Sequence, residues 1–410
     1  MRTLILWLFC LHFIFLAYLN NVYLAGLPVR SFLILLTGGL VLLLDSSVVA
    51  RLRPVNVIYV LLALLGLVVS LTNNVGMGSI ISGEMRVLQS YLLLMVAYFI
   101  LEQYGFRVLA FVLLGLALPS ALIGILQGFD VHVAWEFHAI LQEMQNKEIS
   151  DEMRTQMAEV LDRPPGLTLY AIPQTYMLLS AMALTLYWVI KNPADQRIQW
   201  LGGFGCIILA GGIFASETRS AMGAALIMPA LVYLRLFPAR VIPLAGVAVL
   251  LGAMAYLLLP GNADVDSRLI NLDDASAAGR STLYKYGIEL FWQKPWGYGF
   301  EFNTVEYAVE YFVNERNLFD YGPLEKAQYI VPVHNSILNL MHTYGFAGLL
   351  LLVYYLYRLM KGSWYRLAII VATLVNSVFH NAGILSNDLF MDMVIAVMLY
   401  EIYREQPTTA

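Results

Sequence analysis

Apolar runs long enough to cross a bilayer recur from Leu4 to Tyr403, and nothing else in the sequence limits the fold so strongly. A hydrocarbon core of roughly 30 Å takes about 20 apolar residues as a helix. Lipid offers the backbone no hydrogen-bond partner, so each run must satisfy its own N–H and C=O groups, as a helix does. A membrane β-barrel would read as short alternating segments, and these runs are continuous. The chain is 60% hydrophobic and 13% charged, with mean hydropathy +0.71, which excludes an ordinary soluble domain.

The expected fold is all-α: a single membrane domain over residues 1–410, a polytopic bundle of about 12 transmembrane helices. The spans begin near Leu4, Ser31, Asn56, Val87, Val108, Leu169, Trp200, Ser220, Val241, Gly345, Tyr365 and Leu389. The run after Met1-Arg2 has no convincing small-residue cleavage site and reads as the first span. Cys10 and Cys206 both fall inside spans, so neither a disulfide framework nor a zinc site is available to them.

Charge sets the orientation. With the N-terminus in the cytoplasm, Arg51, Arg53, Arg107, Lys191, Arg197, Arg235, Arg240, Arg358, Lys361, Arg366 and Arg404 join Arg2 on the inside. The short outer loops then hold Arg30, Arg86 and Arg219, so the positive-inside rule places both termini in the cytoplasm. Two longer hydrophilic segments fall outside, residues 128–168 and 260–334, the second being a large periplasmic loop. The first carries a helical stretch from Ala139 to Leu161. Long loops in a compact bundle are where chemistry tends to sit. The outer side is acidic overall, which makes its few arginines the available anion sites.

Ser216-Glu217-Thr218-Arg219-Ser220 opens the eighth span, where an arginine and a helix N-terminus suit an anionic head group. An interfacial arginine snorkelling to lipid phosphate is the plainer alternative. In the large loop, Gly279-Arg280-Ser281 precedes an amphipathic stretch from Leu283 to Phe291 and then Lys294-Pro295-Trp296-Gly297-Tyr298-Gly299-Phe300. Those glycines and aromatics suit a tight turn over a sugar or lipid surface, or an interfacial helix and turn. Val333-His334-Asn335-Ser336 leads back into the membrane ahead of Tyr344-Gly345, and a histidine at a helix start can relay a proton. His12 and His342 read as satisfied core residues, and His132 and His138 as loop residues without metal-ligand spacing. His380-Asn381, near Asn387-Asp388, is placed to line the same site as His334. Asp264-Val265-Asp266 resembles a metal-holding triplet, but Asp273-Asp274 shows the loop to be acidic throughout, so no metal and no cofactor is expected.

Taken in order, these segments resemble the O-antigen ligase and O-antigen polymerase superfamily of bacterial membrane glycan transferases. The matching features are Arg163-Pro164-Pro165-Gly166 with Pro173, then Thr218-Arg219 opening a span. Arg280 ahead of Pro295-Trp296-Gly297-Tyr298-Gly299 follows, and then His334-Asn335 before a helix ending in Gly345. The resemblance implies a metal-independent periplasmic active site in the inner membrane. There a glycan on undecaprenyl diphosphate would pass to a hydroxyl of an acceptor, a glycan or lipid A-core. It assigns His334 to catalysis and Arg219 and Arg280 to the donor diphosphate, with Arg163, Asn335 and Glu217 in support. A diphosphate is already a competent leaving group, so charge neutralisation, alignment and a base are what a site must add, and inversion in one step would follow. A lipid-linked oligosaccharide flippase is the alternative from another class, with Asp392 as its deep ionisable residue. A protein O-oligosaccharyltransferase would share the site and differ in acceptor. No nucleic-acid partner is expected.

Overall fold

A computed structural model describes residues 1–24, 26–145, 163–236, 275–307 and 333–405; of Tyr233, Leu236, residues 275–282 and Glu405 it describes the backbone alone. Helices dominate: α1 (Arg2–Ala17), α2 (Val29–Leu44), α3 (Ser47–Arg51), α4 (Arg53–Thr72), α5 (Met77–Tyr104), α6 (Phe106–Gly128) and α7 (His132–Glu143). They continue with α8 (Ala171–Lys191), α9 (Gln196–Ala215), α10 (Arg219–Leu236), α11 (Ala275–Gln293), α12 (Ser336–Met360), α13 (Trp364–Ser377) and α14 (Leu389–Glu405). Strands β1 (Tyr23–Leu24) and β2 (Leu27–Pro28) close a small antiparallel hairpin between α1 and α2.

Eleven of the twelve expected spans correspond to helices, and the one near Val241 lies outside the described residues. Five helices, α4, α5, α6, α9 and α12, are long and apolar enough to cross a membrane, and α1, α2 and α13 are shorter apolar helices. This is an all-α, multi-pass membrane protein. Three helices form its centre. Leu92 to Leu101 of α5, Gln174 to Leu186 of α8 and Met391 to Leu399 of α14 are buried on every side, as helices apolar all round must be. Outer helices keep one apolar face uncovered; on α9, Trp200, Leu201, Phe204 and Ile207 make such a stripe. That pattern suits lipid, which solvates what water would not.

Several boundaries differ from the sequence reading. The fifth helix begins at Met77, not near Val87, so Arg86 lies three turns inside α5 instead of in a loop. Polar residues at its start hid the helix from a count of apolar runs. The tenth expected span begins at Ser336, not at Gly345, and Gly345 kinks α12 (φ 66°, ψ −160°) without ending it. His132 and His138 sit on α7, not in a loop, and the stretch from residue 146 to 161 lies outside the described residues.

The kink at Gly345 has a mechanical cause. The turn Pro295 to Phe300 inserts between α4, α5 and α12, where Tyr298 N–H donates to His342 O (2.6 Å), Gly299 N–H to Thr343 O (3.2 Å) and Phe346 N–H to Pro295 O (2.8 Å). A Cβ on Gly345 would stand 2.4 Å from the Trp296 carbonyl carbon, and one on Gly297 2.7 Å from Gly345 N. The Phe300 ring, 4% exposed, fills a notch left by Gly66 of α4 and Gly83 of α5. Among the described residues, then, this turn fastens α11 to the bundle, with Tyr298 and Phe300 as buried staples.

Candidate active site

Antiparallel alternation brings the starts of α8, α10, α12 and α14 and the ends of α6, α9 and α13 to one end of the bundle. The end of α13 is the hub. Next to Arg219, at the start of α10, Ser220 donates to Asn376 Oδ1 (3.0 Å) and lies 2.8 Å from His380 Nε2. On the other side, the Tyr284 hydroxyl of α11 reaches Val378 O (2.7 Å) and His334 O (3.3 Å), and the Tyr284 ring packs on Phe379. Arg280 stands one helical turn before Tyr284, at the spacing that puts both on one helix face. Ser220, which follows Arg219, and Tyr284, one turn after Arg280 and bonded to the His334 carbonyl, therefore meet residues 376–380 from separate segments of sequence.

Local chemistry fixes each approach. Asn335 caps α12, its side chain accepting from Ile337 N–H (3.0 Å) and Leu338 N–H (3.0 Å), so its amide orients the helix that follows His334. Asn335 is thus a positioning residue. Glu217 adopts a left-handed backbone (φ 51°), and burial raises its carboxyl pKa while Arg219 pulls it down. Ser216 and Thr218, both buried, bond to each other and to the end of α9, holding the corner into α10.

Arg163 approaches from the α6–α8 connection. Gln127 clamps Gly166 through Gly166 O (3.1 Å) and Gly166 N–H (2.8 Å), and Gly166 has a positive φ of 60° with no room for a Cβ beside Ser120. Pro164 packs where Gly128 meets Ala215, the last residue of α9 and four before Arg219. The buried Arg163 Nε has no hydrogen-bond partner among the described residues.

His380, 5% exposed, is drawn into the hub, with Tyr176 of α8 edge-on to its ring. Sequence reasoning had placed it at this site; it missed Tyr284 and Ser220, whose signal was their position four residues after Arg280 and one after Arg219. His12 and His342 are core residues as expected, but each bonds through one ring nitrogen only, to Arg30 O (2.8 Å) and Gly287 O (2.7 Å). Asp392 is not deep in its helix. It lies one turn from the start of α14 and accepts from Ser90 (2.6 Å). No cluster of three metal-ligating side chains occurs among the described residues, and Asp264 and Asp266 lie outside them.

Residues 204–353 match the family model described as O-antigen ligase. Over those residues the chain is similar to the O-antigen ligase family. The O-antigen ligase match runs from within α9 to within α12 and so contains Arg219, Arg280, Tyr284, His334 and the Gly297–Gly345 interlock. It covers a little over a third of the chain, leaving Arg163 and His380 outside. No curated protein and no solved structure matches the chain.

Proposed function

We propose that the protein is a periplasmic inverting glycosyltransferase of the bacterial inner membrane, with both termini cytoplasmic and segments 128–168 and 260–334 in the periplasm. It moves a glycan from undecaprenyl diphosphate to a hydroxyl of an acceptor glycan or lipid A-core. The observation that supports the reading is the meeting of Ser220, next to Arg219, and Tyr284, one turn after Arg280 and bonded to the His334 carbonyl, at the end of α13.

In this reading Arg219 and Arg280 grip the diphosphate, whose planar bidentate recognition is arginine chemistry. Arg163 stands in reserve at the same anion. His334 takes the proton from the acceptor hydroxyl as its oxygen bonds to the anomeric carbon. The bond from that carbon to the phosphate oxygen breaks in the same step, and the diphosphate leaves with the electron pair, stabilised by the two guanidinium groups. One displacement inverts the anomeric centre. No metal is needed because the arginines supply the positive charge.

Reconstitution in liposomes with undecaprenyl-diphosphate glycan and an acceptor tests this. Transfer with inverted configuration, dependent on acceptor, is expected; a retained configuration or transport of donor without transfer would overturn it. Deleting the gene then separates polymerase from ligase: single repeat units on lipid A-core indicate the first, full chains left on the carrier the second.

A further inference from the structure

Beside the hub lies a cavity of about 550 Å³, within the range that small ligands occupy. It is walled by α4, α5, α12, the turn around residues 300–304 and the α13–α14 connection. Its chemistry differs from that of the anion site. Arg86 and Glu301 are the formal charges in its lining, and they neutralise each other across 2.7 Å. The other polar groups are the His342 ring, hydroxyls and amides, chiefly Asn303, Asn339, Asn381 and Asn387, and the aromatic side chains of Phe302 and Tyr344 share the lining.

We propose that this cavity is a saccharide subsite that takes the hydroxyl groups of an uncharged sugar; the inference deepens the glycan-transfer reading and rests on it for the sugar's source. Amides pair one donor face and one acceptor face with vicinal hydroxyls, and rings cover the apolar faces of pyranoses. Asn339 donates to Asn381 Oδ1 (3.1 Å), a bond that ties the two amides to each other at the cavity wall. Asn381 follows His380 in the chain, and Asn339 lies four residues after the cap Asn335, so the cavity adjoins the place where the reacting sugar would sit.

The walls are preorganised. Six non-glycine residues among those described have positive φ, and three of them, Glu301 (57°), Leu385 (60°) and Asn387 (67°), line this cavity. Backbone strain of that kind, about 1–3 kcal/mol each, persists where surroundings over-determine it and gathers at ligand sites. The α13–α14 connection is locked by Gly383 N–H to Ser386 O (3.0 Å) and Ser386 N–H to Gly383 O (2.8 Å), and a Cβ on Gly383 would strike Ser336 Oγ at 2.5 Å. At the rim Glu301 also accepts from Ser82 (2.7 Å), which ties the turn to α5.

The test uses the full-length protein in nanodiscs with three probes: phosphate-free repeat oligosaccharide from the host's surface polysaccharide, inorganic pyrophosphate, and the lipid-linked donor. Asn339→Ala combined with Asn381→Ala should weaken oligosaccharide binding at least tenfold and leave pyrophosphate binding unchanged. Asn387→Gly, which keeps the left-handed backbone and removes only the amide, should weaken it several-fold. A parallel loss of affinity for the lipid-linked donor assigns the cavity to the donor's sugar; a raised KM for acceptor alone assigns it to the acceptor. Folded variants that bind oligosaccharide and donor as the wild type does, with unchanged acceptor KM, overturn the subsite even if Arg219→Ala still abolishes transfer. Oligosaccharide binding lost in these variants of a protein that transfers no glycan would instead keep the subsite and remove the transferase reading.

Discussion

Replacing Gly345 by alanine is expected to loosen the turn that holds α11 against α12. At φ 66° and ψ −160° the backbone is in a region that suits glycine almost alone, which costs about 1–3 kcal/mol for another residue. The new Cβ would also meet the Trp296 carbonyl carbon at 2.4 Å and Pro295 O at 2.5 Å, both backbone atoms that cannot swing aside. Overpacking of that kind adds about 1–3 kcal/mol. The sum, roughly 2–6 kcal/mol, threatens the bonds from Tyr298 to His342, Gly299 to Thr343 and Phe346 to Pro295 together. Gly203 is the control. It lies in α9 with nothing within 4 Å of its Cβ position, so Gly203→Ala should be neutral or slightly stabilising. Thermal unfolding in nanodiscs, followed by tryptophan fluorescence, should show Gly345→Ala melting several degrees below Gly203→Ala and transferring little glycan. Equal melting temperatures with full transfer would refute the interlock.

Arg219→Lys and Arg280→Lys should each impair transfer less than the alanine variants, since lysine keeps charge but loses the two-pronged donor; near-normal turnover by both alanine variants would remove them from the site. Tyr284→Phe should lower transfer several-fold with the fold intact, because it frees the His334 and Val378 carbonyls from their shared donor at a cost of about 1 kcal/mol; unchanged turnover contradicts the bridge. Burial pushes the Asp388 carboxyl up to about 7, so the folded state favours its neutral form. Its contribution to stability is therefore complete below pH 4 and lost as pH rises toward 7, and Asp388→Asn should flatten that slope in pH-dependent melting. Chelation with EDTA should leave transfer intact; loss restored by magnesium would return attention to Asp264 and Asp266.

The helical fold was legible because lipid leaves the sequence little freedom: continuous apolar runs must be helices, and all but one of the expected spans correspond to one. Helix starts were not, since α5 and α12 begin with polar stretches, Met77 to Arg86 and Ser336 to Asn339, that line the cavity end of the bundle. The order of motifs singled out Arg219, Arg280 and His334, yet the contacts made beside them, by Ser220 and Tyr284 to residues 376–380, are marked by no local pattern. The partners of the glycine turn were hidden for a similar reason. Positive φ at Gly297 and Gly299 is visible as a preference for glycine, but its partner Gly345 and the notch of Gly66 and Gly83 lie far away in sequence.

The role of His334 is decided by measuring donor binding and single-turnover transfer separately on His334→Ala. A lost general base costs about 10²- to 10⁴-fold, so transfer should nearly vanish while undecaprenyl-diphosphate glycan binds as tightly as to the wild type. Transfer within a few-fold of normal, or an equal loss of donor binding, would contradict the assignment of His334 to the acceptor.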